Sequence, residues 1–283
     1  MFITTIHSFE SLEKLKNAGA DAVVIGVEKY SIRSSIYVQQ KDLFLWKKEC
    51  ERLKLKLYIN LLRMVMDEDI PYIHQLLMTC KELHVDGIYY ADEGVFFEAK
   101  EIGFENHLIY QPETLVTSSH DVSFYLGLGI QSVSLAHELS LDEILSIAKV
   151  NKNVEILIHG YFSILYSRRS LVSNYLNAIN KKNVETKKRY DLIEQTRTDR
   201  MPILEDESGT HIFSECPIQS LNQIEELENA GITRFRIDSI FFDDDWTCEI
   251  LDLYQLALTG ILVDDDESSD RWYYQETIKK KED

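Results

Sequence analysis

The residues best placed for chemistry stand directly after short β-branched or aromatic runs. They are Gly26 and Glu28, Asn60 and Arg63, Asp92 and Glu93, Gln111 and Glu113, His137 and Glu138, His159, and Asp238. If those runs are parallel strands of one closed barrel, these residues ring its C-terminal mouth, where barrel enzymes build their sites. His159 and Asp238 could exchange a proton with a substrate there. Asn60, Gln111 and Glu113 could hold it, and the adjacent Arg168 and Arg169 form a fork suited to a carboxylate or phosphate. Plainer readings stand beside these. Asp92, Ser118 and Ser140 sit where helix N-caps belong, His159 could be a neutral imidazole satisfied within the mouth, and the two arginines a solvated loop edge.

Several familiar sites are missing. HELSL at 137–141 is not HExxH, and His120, His159, His211 and Cys216 lack zinc-like spacing, so no metal site is expected. The GLG at 127–129 reads as a helix end rather than a dinucleotide loop, and no GxSxG elbow occurs. Cys50, Cys80, Cys216 and Cys248 form no CxxC pair and read as reduced thiols.

The elements that would carry these residues recur along the chain. LKNAGADAVVIG (15–26), LHVDGIYYA (83–91), YLGLGIQSVSLA (125–136) and LENAGITRFRID (227–238) each end an amphipathic segment at a glycine and restart as an apolar run. Glycine suits the left-handed position that closes a helix, and the run suits a strand buried on both faces. Eight strands follow: 2–6, 22–26, 56–60, 87–91, 108–111, 132–136, 154–160 and 234–238, with helical patterns between them and a last helix over 244–258. Strands alternating with helices imply a parallel sheet, here a TIM-type (β/α)8 barrel, with an open doubly wound sheet as the alternative. The connection from strand 7 to strand 8 is about seventy residues long, so residues 161–216 read as an insertion over the mouth, with a hairpin at the SGT of 208–210. Residues 1–260 then form one domain, and 261–283 an acidic solvated linker and tail.

The 283-residue chain has 45% hydrophobic and 28% charged residues, which suits a globular enzyme. No run approaches the length needed to span a bilayer, and MFITTIHSFESLEKL lacks a basic stretch leading into a long apolar one, so the expected compartment is the cytoplasm, with no membrane partner. A net charge of −18 argues against a surface coated for nucleic acid, yet residues 161–200 hold nine basic residues against four acidic ones.

Taken together, these blocks have a relative. VEILIHGYFSILYSRRSLVSNYL resembles the signature region of the collagenase-like peptidase U32 family, with Glu155, His159, Gly160, Tyr166, Ser167, Leu171 and Ser173 at matching places. AGADAVVIG, DGIYYADEGV, AHELSLDEI and AGITRFRID are similar to further family blocks in the same order. The resemblance implies a TIM-like barrel, adds Glu155 to the catalytic candidates, and adds Tyr166 and Ser167 to the substrate-binding ones. Despite the peptidase label, several members act in oxygen-independent or prephenate-dependent hydroxylation of ubiquinone precursors, ribosomal RNA or the tRNA wobble uridine, and typically hold an iron-sulfur cluster on four cysteines. Here Ser163 and Ser170 stand in place of the two signature cysteines, no cysteine occurs in 178–190, Cys216 alone matches a ligand position, and His137 replaces the usual arginine of that block. One thiolate cannot hold such a cluster. The resemblance is nearest to the shorter of two paired bacterial members linked to wobble-uridine 5-hydroxylation. It implies a chain that binds no cofactor alone, works with a cluster-bearing paralogue, has prephenate as a co-substrate, and meets tRNA or that partner through the basic segment 161–200. A collagenase-like peptidase and a non-catalytic scaffold for a small carboxylate are the alternatives.

Overall fold

A computed structural model describes residues 1–181, 189–193 and 200–275. Its strands, in chain order, are β1 (Phe2–Thr5), β2 (Ala22–Val27), β3 (Tyr37–Val38), β4 (Lys56–Leu61), β5 (Gly87–Tyr90), β6 (Leu108–Tyr110), β7 (Ser132–Ser134), β8 (Val154–Gly160), β9 (Ser163–Ser167), β10 (Arg189–Ile193), β11 (Arg200–Asp206), β12 (Gly209–Phe213), β13 (Ile218–Gln219) and β14 (Arg234–Asp238). Eight of them, β1, β2, β4 to β8 and β14, pair in parallel. Because β1 pairs with both β2 and β14, the sheet closes into a barrel, which excludes the open doubly wound arrangement.

Every barrel strand coincides with one of the runs legible in the sequence. Val23, Ile25, Leu57, Ile59, Ile88, Leu108 and Ile156 face outward into a core shared with the helices. Their neighbours Ala22, Val24, Tyr58, Tyr89 and Ile109 join Ile3 inside the barrel. Strands buried on both faces therefore read as continuous apolar runs, since successive side chains alternate between two apolar layers.

The outer layer is α1 (Leu12–Asn17), α2 (Leu43–Leu53), α3 (Ile70–Glu82), α4 (Glu93–Glu101), α5 (Ser119–Gly127), α6 (Leu141–Val150), α7 (Leu171–Ala178), α8 (Ile224–Asn229) and α9 (Asp244–Leu258), of which α7 belongs to the insertion. Ser118 and Ser140 start α5 and α6 with reciprocal capping boxes, and Asp92 caps α4 by accepting from Gly94 N–H. Those three residues are caps first, as the plainer reading of them held. Among the described residues no helix is long and apolar enough to cross a membrane.

The insertion folds as an antiparallel sheet in the order β10-β11-β12-β9, with the SGT turn joining β11 to β12. Glu205 locks α7 onto that sheet, accepting from the Val172 and Ser173 N–H groups and from the Ser173 and Thr210 hydroxyls. Lys182, Lys187, Lys188 and Arg197 of the basic segment lie outside the described residues.

One segment behaves differently from its composition. The acidic stretch after Gly260 reads as a solvated linker, but residues 264–275 fold back on the barrel. Gln219 donates to Asp264 at 2.8 Å, the Ser220 and Tyr273 hydroxyls meet at 2.6 Å, and the Tyr273 ring is buried.

A covered polar site at the barrel mouth

Polar side chains inside this barrel come in two tiers. The lower one is built by the polar alternation of RFRID: Arg234, Arg236 and Asp238 share one face, opposite Phe235 and Ile237 of the outer core. Arg234 donates twice to Glu155 Oε2, at 3.1 and 3.2 Å. The Tyr89 hydroxyl donates to the same oxygen at 2.8 Å, and Arg234 reaches the Tyr58 hydroxyl at 3.3 Å. Glu155 is fully buried, so its carboxylate is the counter-ion of a buried guanidinium. Glu155 is absent from the lining of the mouth cavity, so its place in the structure is that of an ion-pair partner rather than a residue facing that cavity.

The upper tier lines an enclosed cavity of about 30 Å³, bounded by Thr5, Arg33, Asn60, Tyr89, Gln111, Glu113, His137, Tyr161, Ser163, Phe213, Arg236 and Asp238. Asn60, Gln111, Glu113, His137 and Asp238 thus converge as their strand-end positions predict. Asn60 is fixed by donating to Ile32 C=O at 2.7 Å and accepting from Leu62 N–H at 3.1 Å. Glu113 Oε1 accepts from Arg33 at 2.5 Å and from Gln111 at 2.9 Å. Arg33 and Glu113 both adopt left-handed backbone, at φ 49° and 71°. Two non-glycine residues held there in one ion pair store strain of the kind that gathers at functional sites.

His137 has a defined tautomer. Arg236 can only donate, so His137 Nε2, 3.2 Å from Arg236 Nη2, is the acceptor and the proton sits on Nδ1, which faces Glu113 Oε2 at 3.5 Å. Burial lowers the imidazole to about 4, with Glu113 opposing that shift and Arg236 and Arg33 adding to it. Glu113 is itself held below the usual carboxylate range: burial raises it, but Arg33, His137 and Arg236 outweigh that. Asp238 goes the other way, because burial raises its carboxyl more than Arg236 and Arg33 lower it. Acidic and basic side chains are thus interleaved around a neutral imidazole.

The cavity shares Arg33, Leu62, Gln111, Glu113 and Ser163 with a neighbouring groove of about 320 Å³, which is also lined by Met64, Leu115 and Tyr166. Tyr166 lies flat on His211, with ring centroids 4.7 Å apart, and its hydroxyl donates to Ser208 C=O. Ser167 stands in β9 and accepts from Arg169 N–H at 3.3 Å. Arg168 and Arg169 are exposed and outside the cavity lining, Arg168 reaching only the Met64 carbonyl at 3.5 Å. They do not form the fork the sequence suggested.

His159 also leaves the site. A register shift between β8 and β14 lets Leu157 face Arg236 and His159 face Ile237, so the strand gains a residue where alternation would have turned His159 inward. Its ring instead packs on Trp246 and Tyr254 of α9. Its Nε2 meets Asp265 Oδ2 and Ser268 Oγ, each at 3.0 Å. Burial lowers this imidazole, with Asp265 opposing, and Asp265 is held at about 2 chiefly by the His159 hydrogen bond. His159 anchors the C-terminal segment. The next residue, Gly160, has φ 120°, and a Cβ there would lie 2.1 Å from the Asp238 carbonyl oxygen. The His-Gly pair thus owes its glycine to the close approach of β8 and β14.

Arg33 and Arg236 are the residues the sequence reading passed over. Arg33 lies in the long loop after β2 with no periodic cue, whereas the alternation of RFRID placed Arg236 on the same face as Asp238.

Fold and site define a TIM-type barrel whose polar mouth is roofed by an inserted sheet. Comparison with known proteins narrows this: the chain matches the model of peptidase family U32 over residues 7–282 and belongs to that family. It is 27% identical over 270 residues to tRNA hydroxylation protein P2 of Bacillus subtilis, covering 94% of this chain and 87% of that one. It is 23% identical to tRNA hydroxylation protein P1 of the same organism, with 90% of this chain but only 62% of that one covered. A collagenase of Porphyromonas gingivalis is 22% identical, with 94% and 68% covered. The solved structure of a U32 peptidase superposes with a TM-score of 0.53 at 13% identity, over 84% of this chain and 91% of the other, which shows a shared fold.

The four-cysteine cluster that the family resemblance implies does not fit the donors present at the matching positions. Ser163 is a buried hydroxyl of β9, Ser170 precedes α7, and Cys216 is the one thiol among the matching positions. Hydroxyls are poor ligands for such iron, and one thiolate does not complete a cluster.

Proposed function

We propose that this chain supports 5-hydroxylation of the tRNA wobble uridine in the cytoplasm, with prephenate as co-substrate and a cluster-bearing paralogue as partner. The observation that carries the reading is the covered mouth. An enclosed cavity with a groove of small-molecule size suits a metabolite, while an extended peptide needs a long open cleft or a free sheet edge. Among the described residues, no serine or threonine hydroxyl lining the cavity is hydrogen-bonded to an imidazole: Thr5 meets Ser239, whose hydroxyl in turn meets His7 outside the lining, and Ser34 donates to Ile36 C=O. A serine-type peptidase needs that pair. The names of the Bacillus subtilis relatives support the RNA reading, and the donor set at Ser163, Ser170 and Cys216 supports the need for a partner that carries the redox centre.

Deleting the coding gene and measuring wobble 5-hydroxyuridine by nucleoside mass spectrometry tests this. The modification should fall, and an unchanged level would end the proposal. Incubation of the purified chain with gelatin should release no fragments; cleavage would favour the peptidase reading suggested by the Porphyromonas gingivalis relative.

A further inference from the structure

The hydrogen bonds between charges in the barrel are unevenly shared, although Glu155, Glu113 and Asp238 all attract Arg236 through space. Arg234 is matched by Glu155, and Arg33 by Glu113. Arg236, 5% exposed, hydrogen-bonds no carboxylate among the described residues: its Nη2 donates to neutral His137, it lies over the Tyr89 ring at 5.8 Å, and its buried Nε has no acceptor. Arg33, 8% exposed, likewise keeps a buried Nη1 without an acceptor beside its bond to Glu113. A guanidinium cannot shed its proton, and buried donors left unpaired are costly. Both arginines line the same cavity. Its volume of about 30 Å³, against the roughly 10–15 Å³ that admits one water, matches a group of two or three heavy atoms.

We infer that Arg33 Nη1 and Arg236 Nε are the anchor for one carboxylate of a small organic acid, whose remaining body lies in the groove between Leu62, Met64, Leu115 and Tyr166. Charge and geometry select this ligand class. Glu113, which shares the cavity lining, disfavours a phosphate dianion, and a single carboxylate matches the one of these guanidinium groups that hydrogen-bonds no carboxylate. Arg168 and Arg169 take no part. The inference deepens the proposed function, for which prephenate is the acid, by assigning the residues that hold it.

Thermal-shift and calorimetric titrations of the purified full chain test it, using prephenate, malonate and inorganic phosphate as probes. Prephenate should raise the unfolding midpoint of the wild type and of the Arg168→Ala/Arg169→Ala variant equally. Binding should weaken on the order of tenfold to a hundredfold in Arg236→Gln. Arg33→Lys, which keeps the charge opposite Glu113 and loses Nη1, should weaken binding in the same way and serves as the probe if Arg236→Gln fails to fold. No carboxylate response, a response to phosphate alone, or undiminished binding in the folded Arg33 and Arg236 variants would overturn the assignment. Because the titration needs neither RNA nor partner, binding that persists while deletion leaves hydroxyuridine unchanged would uphold the anchor and remove only its proposed role.

Discussion

Replacing Glu155 by leucine separates a structural carboxylate from a catalytic one. Glu155 is 0% exposed, and Oε2 accepts two bonds from Arg234 and one from Tyr89. Leucine removes all three and leaves a guanidinium buried without its counter-ion, a change that costs about 3–5 kcal/mol. At about 2–3 °C per kcal/mol for a chain of this size, the melting midpoint should drop by about 6–15 °C. The double variant Glu155→Leu/Arg234→Met removes both charges and should recover most of that loss, since an apolar pair of similar volume is often as stable as the ion pair it replaces. Urea denaturation followed by circular dichroism, run as a double-mutant cycle, reads the coupling. The double variant should also still bind prephenate, because the pair lies outside the cavity lining. A single variant costing less than about 1 kcal/mol, or a double variant no more stable than the single, would refute the paired-ion account.

His137 and His211 are lowered to about 4 and about 3, below the ordinary value of 6.5. The unfolded chain therefore binds protons first, so stability should be full above pH 6.5 and fall as the pH drops towards 4, and His137→Gln should flatten that decline in pH-dependent denaturation. Gly160→Ala places a Cβ against the Asp238 carbonyl and should cost about 3 kcal/mol or more, or prevent soluble expression. His159→Ala should free residues 264–275, seen as faster limited proteolysis there, while prephenate binding stays at the wild-type level.

The eight strands were legible because each is buried on both faces, which forces a run of apolar residues that few other elements need. The mouth was half legible for the same reason: Asn60, Gln111, Glu113, His137 and Asp238 end or follow those runs, and closure of the barrel brings them together. Alternation fails at His159 because the register shift in β8 adds a residue, and nothing in VEILIHG announces it. The docking of residues 264–275 was not legible because it rests on long-range hydrogen bonds, such as that from Gln219 to Asp264, and on the Trp272 and Tyr273 rings rather than on a periodic apolar stripe. Arg33 was invisible for want of any period, and Arg168 and Arg169 were overvalued because adjacency in sequence says nothing about burial.

The most direct test of the mouth as the working site is complementation of the deletion strain, scored by mass spectrometry of wobble 5-hydroxyuridine. The wild-type gene and the Arg168→Ala/Arg169→Ala variant should restore the modification, whereas a soluble Arg236→Gln protein at equal abundance should not. Full restoration by Arg236→Gln would contradict the account.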